Sequence, residues 1–142
     1  MRNSEAPFLR DLLAALTVAG AAATAALQRP LFHDEASTWY GTGGSLRETL
    51  AWLDVHPPLY FLFTTAWFRL LGPELTGLRL VSCLLTGGAV LLFLRAARQA
   101  NELAGGGMLR GDVLALICAT SPFLAFSGSF ARYYGLVCFL AA

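Results

Sequence analysis

Apolar residues occur in long runs separated by short polar segments, and this pattern predicts a chain of membrane helices. The runs lie at about residues 12–32, 77–94 and 113–130, and another begins at 135. A helix of about 20 apolar residues crosses the hydrocarbon core of a bilayer. We therefore predict an all-α, polytopic integral membrane fold with short juxtamembrane helices in the first loop.

The first apolar run has a second interpretation. Leu12–Leu27 carries no charge and is short for a span, although Leu31 and Phe32 extend it. A basic start, an apolar middle and small residues such as Ala21–Ala23 are also typical of a cleaved signal peptide. The later apolar runs favour an uncleaved first helix.

The segment after the first run predicts short helices that lie along the membrane surface. Asp34 is positioned to N-cap a helix through about Tyr40, and Gly41–Gly44 should break it. Ser45 and Glu48 then form a capping box for an amphipathic helix over about 45–53.

A further helix is predicted to begin at Pro57-Pro58 and to end before Gly72-Pro73. Proline at the first helical position sacrifices no needed donor. The 14 residues of 58–71 would rise about 21 Å, short of a hydrocarbon core of about 30 Å. This length favours an interfacial or half-inserted helix, with a short true span as the alternative, so residues 33–72 form one loop.

Charge distribution predicts the orientation. If 58–71 does not cross, the arginines of the N-terminus and those of the 95–112 loop share one side, which the positive-inside rule assigns to the cytoplasm. The acid-rich loop and Arg132 then share the outer side of the inner (plasma) membrane. This topology predicts a convergence of four side chains on one face: Asp34, Glu35, His56 and Arg132.

Composition narrows the class of protein. Of the 142 residues, 56% are hydrophobic and 13% charged, with a mean hydropathy of +0.59, as in membrane proteins. A net charge of +1 does not favour a nucleic-acid partner. The three cysteines lie in apolar runs and are predicted to be packing residues. The sequence stops at Ala142 within an apolar run, so we expect residues 1–142 to be a single N-terminal portion of a longer protein.

The first candidate for chemistry is His33-Asp34-Glu35. A carboxylate held near water at the end of a span can act as a general base toward an incoming hydroxyl. The competing interpretation is an Asp N-cap with a first-turn Glu that complements the helix dipole. The residues alone leave both interpretations open.

Two other candidates follow. His56, just before a helix start, is placed to donate to an anionic oxygen, although it also reads as a surface histidine. Arg132-Tyr133-Tyr134 suits a phosphate clamp near lipid, or an interfacial aromatic anchor. Arg69 and Arg79 are interpreted as snorkelling anchors. No metal is assigned; a divalent cation held by His33, Asp34, Asp54 and His56 stays an alternative, but no pair has zinc-like spacing.

The order of these motifs resembles a known class. Asp34-Glu35 after the first span, His56-Pro-Pro-Leu-Tyr60, Ser121-Pro122 and Arg132-x-Tyr134 resemble the GT-C membrane glycosyltransferases. The closest group is related to protein O-mannosyltransferases and includes the RgtA/B/C/D-like and lipid A aminoarabinose transferases. The resemblance covers nearly the whole chain but only the N-terminal part of such an enzyme.

The resemblance implies a function. Such enzymes move a sugar from a polyprenyl-phosphate donor to a lipid, glycan or protein acceptor on the outer side of the membrane. It implies that Asp34 activates the acceptor hydroxyl, that Glu35 is the second acid, and that Arg132 contacts the donor phosphate. Many relatives carry an acid two residues before that arginine, where this chain has Phe130. A membrane transporter or flippase subunit, or a non-catalytic scaffold, is the alternative.

Overall fold

The computed structural model describes residues 5–42, 47–48, 58–105, 110–130 and 134–141. The predicted all-α fold is confirmed in these ranges, which contain seven helices. They are α1 Glu5–Gln28, α2 His33–Thr42, α3 Pro58–Leu71, α4 Leu75–Leu103, α5 Gly111–Ala119, α6 Pro122–Gly128 and α7 Tyr134–Ala141.

Two of the described helices are long and apolar enough to cross a membrane, α1 and α4. Their ends differ from the prediction. Helix α1 begins at Glu5 rather than near 12 and stops at Gln28 rather than 32. Helix α4 continues to Leu103, past the predicted end at 94, because residues 95–104 are mostly good helix formers with no Gly or Pro. The predicted 95–112 loop therefore starts as helix.

The predicted span at 113–130 is a bent pair. Helices α5 and α6 meet at an angle of 53°, and counting them as one broken span raises the number of candidate spans to three. Pro122 takes the first position of α6, and the hydroxyl of Ser121 accepts from the backbone N–H of Leu124 at 3.4 Å. Proline thus starts a new helix here instead of being accommodated inside one.

The antiparallel pair of α1 and α4 forms the centre of the bundle. Arg98 near the end of α4 contacts the carbonyl of Pro7, whereas Arg79 near its start contacts that of Ala26. The two helices approach closely at Gly87, where an added Cβ would lie 3.0 Å from the carbonyl oxygen of Ala15. Helices α5 and α6 pack on α1, and α7 packs on α4.

Helix α3 has the predicted bounds and packs against α2 and the first half of α4. Phe68 shares an apolar cluster with Leu78, while Tyr60 and Phe61 pack with Leu85, about 10 Å further along α4. The left-handed Gly72 (φ 92°) ends the helix as predicted. Helix α3 has 14 residues and is shorter than the candidate spans, and the half-inserted helix and the short true span both stay predictions. Of the predicted 45–53 helix, residues 47 and 48 are described, and both are helical.

Candidate functional site

Glu35 is fully buried at the start of α2. Phe32 accepts the first helical hydrogen bond, from the N–H of Ala36, and is therefore the N-cap. The Oε2 of Glu35 accepts from the backbone N–H of Phe32 at 3.2 Å, the reach-back typical of a glutamate at this position. The predicted N-cap role of Asp34 is therefore wrong: Asp34 is the second residue of α2.

Arg79 neutralises this buried acid. Its Nε donates to Oε1 of Glu35 at 3.1 Å and its Nη2 to Oε2 at 2.7 Å. It also donates to three backbone carbonyls at the end of α1 and just beyond it, those of Ala26, Arg29 and Pro30. The prediction of a snorkelling anchor is wrong for Arg79, which is 6% exposed, because a buried carboxylate and the free carbonyls of a helix end both need a donor.

Arg29 is the second partner of Glu35, and the sequence prediction missed it. Its Nη2 donates to Oε1 of Glu35 at 3.0 Å and to the carbonyl of Ser129 at 3.1 Å, while Nη1 donates to the Ser129 hydroxyl at 3.2 Å. The guanidinium carbon lies 3.5 Å from the centre of the Phe130 ring. The position where the resemblance leads us to expect an acid thus holds a ring that faces a cation.

These residues form what we name the Glu35 cluster: Glu35, Arg29, Arg79, Ser129 and Phe130. It joins the end of α1, the start of α2, the start of α4 and the segment after α6. Two guanidinium groups face one carboxylate, so the cluster has an excess of positive charge.

The predicted site residues are only partly within the described chain. His33 is exposed and begins α2, and Asp34 follows it in the first turn. Tyr134 begins α7. The side chains of Asp34 and Tyr134, and the whole of His56, Arg132 and Tyr133, lie outside the described residues.

Of the four side chains predicted to converge, only that of Glu35 lies within the described residues. Arg29 brings Glu35 into the same cluster as Ser129, which precedes Arg132 by three positions. The N-terminus of α2 and the end of α6 therefore lie at one end of the bundle. The approach of His56 and Arg132 to Asp34 stays a prediction.

No group of three or more His, Cys, Asp or Glu side chains comes together among the described residues. Asp54 and His56, two of the four residues weighed as ligands, fall outside them. The cysteines are free; Cys83 and Cys118 are buried in apolar clusters, as predicted for packing residues.

A second buried acid lies at the other end of the bundle. Asp11 is fully buried, Arg10 donates to its Oδ1 from Nε at 3.1 Å and from Nη2 at 2.9 Å, and Arg98 forms an ion pair with its Oδ2. We name these three residues the Asp11 cluster. Arg79 and Arg98 are 19 positions apart on α4, which places the two clusters about 28 Å from each other. That separation matches the thickness of a hydrocarbon core.

A groove of about 480 Å³ opens between α1 and α5 beside Arg10. Its walls are mainly apolar, including Leu13, Val113 and Leu116. It belongs to the Asp11 end, so it is remote from the acid pair of α2 and is not a candidate for the chemistry proposed there.

No protein-family model, curated protein or solved structure matches this chain. The resemblance to GT-C enzymes therefore stands as an expectation drawn from the motifs.

Proposed function

We propose that the chain is the N-terminal membrane portion of a glycosyltransferase that uses a polyprenyl-phosphate sugar donor. The acceptor is a hydroxyl of a lipid, glycan or protein at the outer face of the membrane. The active site lies at the end of the bundle that contains the Glu35 cluster. Residues 1–142 alone are expected to be inactive, since the later spans of such enzymes complete the donor and acceptor sites.

One observation carries the proposal. A fully buried glutamate, held by two arginines, fixes the first turn of α2 and links it to the segment that precedes Arg132. These ion pairs support a role in which the backbone at Asp34 must keep a defined position beside the end of α6.

The proposed reaction is an inverting transfer. Asp34 takes the proton of the acceptor hydroxyl as its oxygen attacks the anomeric carbon, the bond from that carbon to the phosphate oxygen breaks, and the polyprenyl phosphate leaves with the electron pair. His56 and Arg132 offset the charge that develops on the leaving phosphate. Glu35 was predicted as part of the acid pair; its burial and two ion pairs favour a positioning role.

The orientation belongs to the same proposal. The N-terminus and the α4–α5 connection, which share the Asp11 end, face the cytoplasm, and the α2 end faces outward. Arg10, Arg95, Arg98 and Arg110 lie toward the Asp11 end, which the proposal places in the cytoplasm.

Transport is less well supported. A transporter needs a polar route between the two clusters. Among the described residues, the buried side chains between α1 and α4 are mostly small or apolar, including Val18, Ala22, Cys83 and Val90. Buried Thr86 there hydrogen bonds to the carbonyl of Ser82 in its own helix.

The experiment compares Asp34→Asn with the wild type in the full-length natural protein. Membranes that contain each variant receive radiolabelled polyprenyl-phosphate mannose, galactose, glucose or aminoarabinose, and transfer to endogenous acceptors is counted. We expect wild-type transfer from at least one donor and a loss of about 100-fold or more in Asp34→Asn, since a general base contributes about 10²–10⁴.

Asp112→Asn is the matched control, because it makes the same change at an exposed acid at the opposite end. It should insert and transfer as the wild type does. Asp34→Asn with wild-type transfer, or a well-inserted wild type that transfers from none of the donors, would overturn the proposal.

A further inference from the structure

We infer that Arg29 is a positioning residue that fixes the separation between the two halves of the proposed site. One half is the start of α2, with Asp34; the other is the segment that leads from Ser129 to Arg132. The inference rests on the proposed function for its catalytic consequence, while the link itself can be measured without any reaction.

The contacts of Arg29 join parts of the chain that are far apart in sequence. It lies at the turn after α1, reaches Glu35 six residues on, and contacts Ser129 one hundred residues on. Both the carbonyl and the hydroxyl of Ser129 accept from it. A planar guanidinium presents five donors in a fixed fork, so one side chain can hold the acid and the backbone together.

Aromatic rings hold the guanidinium in this place. Phe130 stacks against it, and Phe32 and Phe126 meet the Phe130 ring edge to face at 5.8 and 4.7 Å. The side chain of Arg29 is 21% exposed, so the stack is only partly solvated. Because Phe32 is the N-cap of α2 and Phe126 belongs to α6, the rings connect the same two segments as the hydrogen bonds.

The roles of the two arginines are separable. Arg79 alone makes a bidentate pair with Glu35 and satisfies the carbonyls that follow α1. Removal of Arg29 therefore leaves the buried acid neutralised and the bundle folded, but it removes the described link from Glu35 to Ser129. Arg29 is thus predicted to affect alignment more than stability.

The first test measures kinetics in the full-length protein, with Arg29→Met, Arg29→Lys and Arg98→Met. A misplacement of reacting groups by about 1 Å costs about 100-fold in rate. We expect kcat of Arg29→Met to fall about 10- to 100-fold while KM for the lipid-phosphate donor changes less than about 3-fold, because donor binding needs one half of the site and transfer needs both.

Arg29→Lys should not restore kcat. The lysine ammonium keeps the positive charge, but it lacks the planar set of donors and cannot stack flat on an aromatic ring. Arg98→Met is the matched control: it also removes a partly exposed arginine from a buried acid, but at the other end of the bundle. It should leave kcat unchanged in correctly inserted protein. Wild-type kcat in Arg29→Met, or full rescue by lysine, would overturn the inference.

The second test reads the separation directly. Spin labels are placed at Tyr40 of α2 and Phe123 of α6, the helix that runs into Ser129; the two residues are 71% and 70% exposed, and the cysteines of the full-length protein are replaced by alanine. Pulsed electron paramagnetic resonance then gives the distribution of distances between the labels. We expect Arg29→Met to broaden or shift it and Arg98→Met to leave it as in the parent; an unchanged distribution in Arg29→Met would overturn the inference.

The two failures are distinguishable. If the well-inserted wild type transfers from none of the donors but Arg29→Met changes the label distances, the proposed function falls and the link stands. If Asp34→Asn abolishes transfer but Arg29→Met alters neither kcat nor the distances, the function stands and the role of Arg29 falls.

Discussion

The two ends of the bundle each bury one carboxylate between two arginines, but they do so in different ways. In the Glu35 cluster the arginine side chains are 8% and 21% exposed, and in the Asp11 cluster they are 36% and 31% exposed. Arg10 and Arg98 therefore keep more contact with water than Arg79 does, so solvent screens their charges more strongly. Although both clusters contain one carboxylate and two arginines, we expect the free energy of unfolding to depend more on Arg79 than on Arg10 or Arg98.

The clusters also differ in what they connect. Asp11 takes one arginine from its own helix and one from α4, so it holds two helix ends together. The Glu35 cluster caps the start of α2, satisfies carbonyls at the end of α1 and reaches the residues after α6. The first arrangement supports a fold, whereas the second fixes backbone at a place where candidate chemistry is concentrated.

The largest expected effect follows from removing the more buried arginine. Arg79→Met leaves Glu35 without its bidentate partner, and breaking a buried pair on one side costs about 3–5 kcal/mol. The free energy of unfolding in detergent, followed by tryptophan fluorescence during denaturant titration, measures it. The double variant Arg79→Met/Glu35→Met should recover part of the loss. A loss in Arg79→Met no larger than that in Asp11→Asn would break the comparison.

The next effect tests whether the helix contact between the clusters sets their separation. Gly87→Ala places a Cβ 3.0 Å from the carbonyl oxygen of Ala15 and from the Cβ of Ala19, and overpacking of this kind costs about 1–3 kcal/mol. Gly20→Ala is the control, because nothing lies within 4 Å of its added Cβ. There the better helix propensity of alanine should be neutral or stabilising. The same unfolding titration compares them, and equal effects would contradict the close approach.

A smaller effect is expected at the Asp11 cluster. Asp11→Asn removes the charge that Arg10 and Arg98 share, but both arginines can turn to water, so we expect a loss of about 1–2 kcal/mol. Helix content by circular dichroism should stay constant, which separates a weakened contact from a failure to insert. A loss as large as that of Arg79→Met would show that solvent access does not distinguish the two ends.

The smallest effect belongs to an exposed pair at the same end as Asp11. Arg110 donates to Asp112 at 3.1 Å, with side chains 80% and 57% exposed. Arg110→Ala should leave the unfolding midpoint unchanged at both low and high salt, because exposed ion pairs contribute little and are screened. A salt-dependent shift of the midpoint would show that this end relies on surface charge more than its exposure suggests.

The pattern of apolar residues predicted helix type and order well, and the helix bounds less well. Pro58 and Gly72 gave the limits of α3 correctly, because proline and glycine act on the backbone locally. The end of α4 was misplaced because Arg95 and Arg98 suggested a loop, although residues 95–104 contain no Gly or Pro. Polar residues end an apolar face and need not end a helix.

The site could be predicted only in part. The acid pair was proposed from its position after the first span, but the partners of Glu35 were not predicted. Arg79 is the only charged residue between Glu74 and Arg95, and a buried acid nearby would have identified it as a counterion. The roles of Arg29 and Asp11 were harder to predict from the sequence. Asp11 contacts α4 and Arg29 contacts the segment after α6, and no local sequence pattern indicates either contact.

The span of one hundred residues between Arg29 and Ser129 has a consequence for biosynthesis. At about 5–20 residues per second, the ribosome adds Arg79 roughly 2–9 s after Glu35, and Ser129 roughly 5–20 s after Arg29. The carboxylate of Glu35 therefore stays in water or in the translocon until α4 has been synthesised, and α2 can take its final position only then. The link to the Arg132 segment is completed last, so the proposed site would be assembled after the fold that supports it.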